Sequence, residues 1–302
     1  MRHPDGHEIE VDSYEKVKYD EPADGVARVS MNRPGIRNAQ DTQMLAELDD
    51  AFKRAENDDD IRCLIFTGEG QDFSAGHDLG GWGQNLTDRG DELNEAFWRD
   101  WYKSVEDRME IEEEWYLNHA MDLRDLDIPT IASVQGHCIL GAVMLADICD
   151  LIVASDDARF WVPSLRHVGS GAEIQTLPYT LGVRKTKEML WTGDPLYGED
   201  AKDLGLVNRA VPAEDLEEET LYLARRIALM PEVALRITKK DLNNMLDQMG
   251  QRDAINYHFA LHQIVHASNQ SDEWHDEASR RHEEGDLGDW LDEYGKDQPK
   301  ID

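Results

Sequence analysis

Apolar positions in this chain follow two periods that take turns. Val26 to Asn32 (VARVSMN) alternates like a half-buried strand, and Arg62 to Thr67 (RCLIFT) is a short apolar run of strand length. Between them Met44, Leu45, Leu48, Ala51, Phe52 and Ala55 recur at helical spacing behind Asp41, a residue suited to cap a helix. The order then repeats. Thr130 to Gln135 reads as a strand broken by Gly136, a short apolar helix carries Gly141 and ends near Cys149, and Leu151 to Ser155 reads as the next strand. Strand, glycine loop, helix and strand in succession predict an α/β core of right-handed β-β-α turns.

Outside that core the pattern divides the chain further. Residues 1–22 are polar and acidic and read as an extension along the first strand; 23–212 form the core. Within the core, 86–127 is an insertion, helical from Asp91 by the spacing of Leu93, Phe97, Trp101, Val105, Met109 and Ile111, and placed as a lid or pocket wall. Gly171 to Thr180, Lys185 to Leu190 and Gly198 to Leu204 read as helices and Leu206 to Val211 as extended. Residues 213–270 are all helix, with segments Asp215 to Leu229, Glu232 to Leu246 and Ala254 to Ser268, and 271–302 read as an acidic tail holding Trp274 and Trp290.

Charge narrows the partners. With 64 acidic against 31 basic residues in 302, the net charge is -33, which argues against nucleic acid and anionic membrane. A polyanionic ligand would need a local basic patch. Cys63, Cys138 and Cys149 all sit in apolar runs without a disulfide pattern, no charged-then-apolar leader opens the chain, and no apolar run reaches the ~20 residues of a membrane span. A reducing cytoplasm is the expected setting.

A strand that breaks at glycine and turns directly into a helix aims backbone N–H groups at one point, where they can hold an anionic oxygen. The stretch from Ile128 to Phe160 has this form, and four separated motifs go with it: NRPGIRNA from Asn32, FSAGHDL from Phe73, QGHCILGAVMLADICDLIVASDDARF from Gln135, and WTGDPLYGEDAKDLGLVNRAVP from Trp191. In order and spacing they resemble the crotonase (enoyl-CoA hydratase/isomerase) superfamily over roughly residues 20 to 270. The resemblance implies a spiral of β-β-α turns with a C-terminal helical trimerisation region, a homotrimer or dimer of trimers, and acyl-CoA thioesters as substrates, as in fatty acid metabolism. It implies no cofactor beyond the coenzyme A of the substrate. By position His77 and Gly141 supply the two amides that hold the thioester enolate. Arg33, Arg37, Ala39, Ala75, Asp78, Leu79, Arg236, Lys239 and Lys240 fall where the family meets coenzyme A, and Trp82, Met144, Trp161, Pro163, Ser164 and His167 fall along the acyl pocket.

One departure bears on the reaction. Hydratases of this family carry glutamates at the positions that are Met144 and Ser164 here, and neither side chain is a general base at neutral pH. Asp147, one helical turn past Met144, is the first substitute considered; His167 is the second, and Glu110, Glu112, Glu113, Glu114 and His119 of the insertion are the third. Asp150 reads as structural. His258, His262 and His266 are spaced for one helix face and can clasp a metal, but no H-E-x-x-H accompanies them and no metal site is assigned. Trp82, Trp98, Trp101, Trp115 and Trp161 point to a large or cyclic acyl group. The reading is an acyl-CoA enzyme that forms a thioester enolate. Hydration, isomerisation, C–C hydrolysis of a cyclic acyl-CoA, and a non-catalytic acyl-CoA binder remain open.

Overall fold

A computed structural model describes residues 11–78, 92–101, 103–167 and 169–284, together with 1, 2, 4, 6 and 9. Leu79, Trp82 and Trp290 lie outside the described residues, as do the side chains of Trp98 and His167.

The chain opens with a hairpin. β1 (Val17–Ala23) pairs antiparallel with β2 (Val26–Met31), so the extension expected over 1–22 already contributes a strand. Asp24-Gly25 between them is the turn, with Gly25 at φ +74°, where glycine has no steric penalty. α1 (Thr42–Glu56) follows, its first turn capped by the Asp41 carboxylate accepting from Met44 N at 2.9 Å. β3 (Cys63–Gly68) then runs parallel to β2.

The insertion is helical, as its periodicity predicts. α2 (Glu92–Trp101) and α3 (Val105–Glu112) lead through a wide π-type turn, Glu113–Asn118, into α4 (His119–Asp125). β4 (Thr130–Val134), β5 (His137–Ile139), α5 (Gly141–Ile148), β6 (Leu151–Ser155) and β7 (Arg159–Trp161) complete the centre.

Only the end of Gly171–Thr180 is helical, as α6 (Leu177–Thr180). A stretch with glycines at 169 and 171, the latter at φ +132°, does not hold a helix, and 169–176 runs irregularly. α7 (Gly182–Thr192), the unexpected short β8 (Leu196–Tyr197), then α8 (Gly198–Leu204), β9 (Arg209–Val211), α9 (Leu216–Ala228), α10 (Glu232–Gln248) and α11 (Gln251–His266) follow, all but β8 near their expected bounds. The acidic tail begins with a helix, α12 (Asn269–Glu284), on which Trp274 is buried.

The main sheet has the order β1-β2-β3-β4-β6-β9, parallel from β2 onward, and a smaller sheet has the order β5-β7-β8. Both faces of the main sheet are covered. Ala27, Val29, Met31, Leu64, Phe66, Ala132 and Val134 pack in the cluster that contains α1 and α5, while Val26, Cys63, Ile65, Ile131 and Val153 pack with Leu216 and Ala224 of α9. Such two-sided burial explains why these strands read as apolar runs.

Gly136, at φ +54°, turns β4 into β5. A Cβ there would stand 2.7 Å from the Asp72 carboxylate and overlap the Gln71 carbonyl oxygen. Gly136→Ala is therefore expected to lower the unfolding free energy by roughly 3 kcal/mol or more in urea titration, from combined left-handed strain and overlap; a loss under about 1 kcal/mol would show that the loop shifts freely.

Candidate active site

The site is built where two chain segments run side by side. Ser74 N donates to His137 O at 2.9 Å and Ile139 N to Ser74 O at 3.1 Å, so 73–77 lies along β5 and both segments end together. The NRPGIRNA loop clamps the first of them. Asn38, fully buried at φ 52°, donates through Nδ2 to the carbonyls of Glu69, Asp72 and Phe73, and Ser74 Oγ donates to Asn38 O at 2.7 Å. Asparagine tolerates the left-handed region, and its amide satisfies carbonyls that would otherwise be buried unpaired.

His77 and Gly141 meet at the ends of these segments. A Cβ on Gly76, itself at φ +85°, would stand 3.2 Å from Gly141 N. One on Gly141 would stand 2.5 Å from the His77 ring, so only glycine fits beneath that imidazole. Leu140 takes φ 49° and ψ -112° to turn β5 into α5, an uncommon conformation for a leucine, held by its N–H on Trp161 O at 2.9 Å. Among the described residues, neither the His77 nor the Gly141 N–H donates to a protein acceptor.

The imidazole of His77 is packed between Gly141 and Tyr116, whose ring stacks on it with centroids 3.8 Å apart. The π-type turn presents Tyr116 there, and wide turns of this kind recur at functional sites. His77 Nε2 lies 3.0 Å from the carboxylate of Glu173, and Nδ1 is buried with no partner. Burial alone would raise the Glu173 carboxyl, but the neighbouring imidazoles of His77 and His262 outweigh it and hold the group ionised. An ionised carboxylate only accepts hydrogen bonds, so Nε2 carries the proton in this pair.

Neither Glu173 nor Tyr116 stands out in the sequence by itself. One signal was present: between Asp157 and Glu188, in a chain rich in acids, Glu173 is the single acidic residue.

The substitute bases read from the sequence lie elsewhere. Asp147 accepts the hydroxyls of Thr176 and Thr180, at the two ends of α6, and among the described residues no hydrogen bond joins it to His77 or Gly141. Glu110 and Glu113 are exposed, Glu114 accepts Arg2 N, and His119 is buried against Phe52 and held neutral by burial, at about 4. Glu112 is wholly buried, accepting from Trp101 Nε1 at 2.6 Å and Gln263 Nε2 at 2.5 Å.

The pocket positions divide. Met144, Pro163 and Ser164 are buried, Ser164 with its hydroxyl unpaired, and Trp161 donates to Gly193 O. Trp101 and Trp115 pack in the core, so they do not bear on the size of the acyl group.

Several of the cations expected to meet coenzyme A are engaged inside the protein. Lys239 is buried and donates to Ile128 O and Asp150, which in turn holds Thr130 N at 2.8 Å; this lysine is a structural tie and does not face solvent. Arg33 is bound by Ala39 O, Asp41 and Asp78. Arg37 and Lys240 are exposed, beside Asp72 and Asp127, and Arg236 is beside Glu232. Ala75 donates its N–H to Arg37 O and is half-buried.

Comparison with known proteins gives this arrangement its family. The family model of enoyl-CoA hydratase/isomerase matches residues 21–110 and 102–284, and the chain belongs to that family. EchA13 of Mycobacterium tuberculosis, an enoyl-CoA hydratase by name, is 38% identical over 260 residues, covering 84% of this chain and 81% of its own length. A Mycobacterium smegmatis structure described as a probable enoyl-CoA hydratase is 38% identical with a TM-score of 0.74, covering 83% of this chain and 94% of that one. An enoyl-CoA hydratase/isomerase from Xanthobacter autotrophicus Py2 is 29% identical with a TM-score of 0.81, covering 93% and 98%. The chain thus has the crotonase fold and is an enoyl-CoA hydratase/isomerase-like enzyme. No helix among the described residues is long and apolar enough to cross a membrane.

Burial raises the Asp147 carboxyl from 3.8 to about 6, with the two threonine hydroxyls opposing. A folded-state value above the unfolded one means that the folded chain binds this proton more tightly, so its contribution to stability is full below about pH 4 and is lost as pH rises through about 6. The unfolding free energy of the wild type relative to Asp147→Asn should therefore fall by roughly 3 kcal/mol between about pH 4 and about pH 7. A difference independent of pH would mean that the carboxylate is solvated, and hence available for chemistry.

Proposed function

We propose that this enzyme forms the enolate of an unsaturated acyl-CoA thioester and moves one proton across it, isomerising a double bond. The observation that carries the reading is the buried pair of His77 and Glu173 beside the two free amides. In this reading the His77 and Gly141 N–H groups hold the thioester oxygen as it gains charge, a device worth about 3 to 4 kcal/mol per donor. Glu173 fixes the tautomer of His77, leaving Nδ1 as the lone pair that takes a proton from the α carbon. Delocalisation spreads the electron pair to the γ carbon, the same nitrogen returns the proton there, and the double bond moves from β,γ to α,β.

Such a shift needs one base, whereas hydration needs a base for water and an acid for the α carbon. With Met144 and Ser164 at the family's glutamate positions, this site holds one proton-transfer unit among the described residues, which favours the single-base reaction. Water addition is the second reading, favoured by the hydratase names of the relatives. The coenzyme A half would meet the exposed Arg37 and Lys240 and the backbone near Ala39, Ala75 and Asp78.

The same proposal includes assembly with further copies, as a trimer or dimer of trimers. Val233, Ile237, Met245, Met249, Tyr257 and Ile264 are exposed along α10 and α11, too much apolar surface for an unpartnered face in so charged a chain.

The test is turnover of 3-enoyl-CoA and 2-enoyl-CoA esters in heavy-oxygen water, followed by mass spectrometry. Conversion of 3-enoyl to 2-enoyl ester at unchanged mass is expected. His77→Ala keeps both amides and should lose about 10²-fold or more in kcat with little change in KM, and Glu173→Gln a comparable factor. Asp147→Asn should keep its rate. A gain of labelled water at the β carbon would replace isomerisation by hydration, and binding without turnover of either ester would leave an acyl-CoA binder.

A further inference from the structure

Behind Glu173, away from Gly141, three side chains from two distant parts of the chain close on one buried point. Glu112 ends α3, and His262 and His266 lie one turn apart on α11; one ligand atom from each falls within 4.8 Å of the others. His266 Nδ1 is 3.3 Å from Glu112 Oε1, and His262 Nε2 is 3.9 Å from Glu112 Oε2 and 3.8 Å from Glu173 Oε1. Both nitrogens are buried and make no hydrogen bond. Two unpaired buried imidazole nitrogens would each cost about 1 to 3 kcal/mol, so facing one another across a shared carboxylate they call for a common partner.

The distances identify its kind. Hydrogen bonds between such groups span about 2.7 to 3.2 Å. A tetrahedral ion with ligands at about 2.0 to 2.1 Å separates them by about 3.3 Å instead. The observed separations begin at that value. We propose that Glu112, His262 and His266 bind a first-row divalent transition metal, zinc being the simplest case, with Glu173 or a water molecule as the fourth ligand.

The surrounding contacts are those a metal site uses. Ser170 Oγ lies 3.1 Å from His262 Nδ1 and can accept its proton, which turns Nε2 into a bare lone pair facing inward. Trp101 and Gln263 each donate to one oxygen of Glu112, orienting the carboxylate. His258, the remaining histidine of the i, i+4, i+8 series, bonds Ala172 O at 2.8 Å and takes no part; Glu112 stands in the place that the sequence spacing gave to it. Two imidazoles and a carboxylate suit a borderline ion such as Zn²⁺ and disfavour Mg²⁺ or Ca²⁺, which take oxygen ligands. Bound there, the ion ties the insertion to the C-terminal helices and fixes the back of the Glu173 pocket. The site stands whichever reaction the enzyme performs.

The test is titration of chelator-treated, metal-free protein with Zn²⁺ by calorimetry, in molar salt so that the acidic surface is screened. Parallel Co²⁺ loading reads the ligand geometry by visible absorption. Saturable uptake of about one ion per chain, a raised unfolding temperature and a tetrahedral Co²⁺ spectrum are expected. Glu112→Gln and His266→Ala should abolish them, His258→Gln should keep them, and Trp101→Phe, which removes the hydrogen bond to Glu112 together with part of the buried indole, should weaken binding about ten-fold or more. No saturable Zn²⁺ uptake by folded wild type would overturn the proposal, and the three side chains would then be a purely protein-internal ion cluster. Uptake that survives both ligand substitutions would overturn it equally.

Discussion

Everything chemical in this molecule depends on holding one irregular loop, 68–78, against β5 so that a histidine and a glycine from distant parts of the chain share a point. The Asn38 side chain does most of that holding, through three carbonyls no strand or helix can satisfy. Glycine does the rest by having no Cβ: at 76, 136 and 141 any side chain would collide with the facing segment. Loops are ordinarily the mobile part of a fold, but here backbone pairing on both edges gives the loop the rigidity of a strand.

That rigidity bears on the electrostatics. A carboxylate as buried as Glu173 would ordinarily be driven toward neutrality, yet it is surrounded by His77 and His262 and stays ionised. Asp147 is the contrasting case in the same protein: half-buried and offered only hydroxyls, it is pushed up to about 6. The two acids differ in character because one faces imidazoles and the other only hydroxyls. Met144 and Ser164 are buried and carry no carboxylate, and Glu173 is the acid that meets His77.

The strands and helices that carry strong periodicity were legible in the sequence, from the Asp41 cap of α1 to β6 and α8. β1 was missed because its alternation is masked by acids, although Asp24-Gly25 marked the hairpin. Residues 171–176 read as helix in the sequence, but Gly169 and Gly171, the latter at φ +132°, leave the stretch irregular. At the site, the fold and the family could be read from motifs that encode backbone shape. Glu173 could not, since its role comes from a contact across 96 residues with His77. Lys239 failed in the opposite direction: a basic residue in an acidic chain looks like a ligand contact, and only three-dimensional packing shows it spanning Ile128 and Asp150.

The central claim is that the two amides and the His77–Glu173 pair together make and protonate a thioester enolate. Proton exchange at the α carbon of a saturated acyl-CoA tests this without requiring any particular product, because exchange needs only the enolate and a base. Proton NMR in deuterated water should show loss of the α signal in the presence of the wild type, with exchange abolished in His77→Ala and Glu173→Gln while the ester still binds. Binding of the ester by the wild type with no exchange at the α carbon would contradict the account.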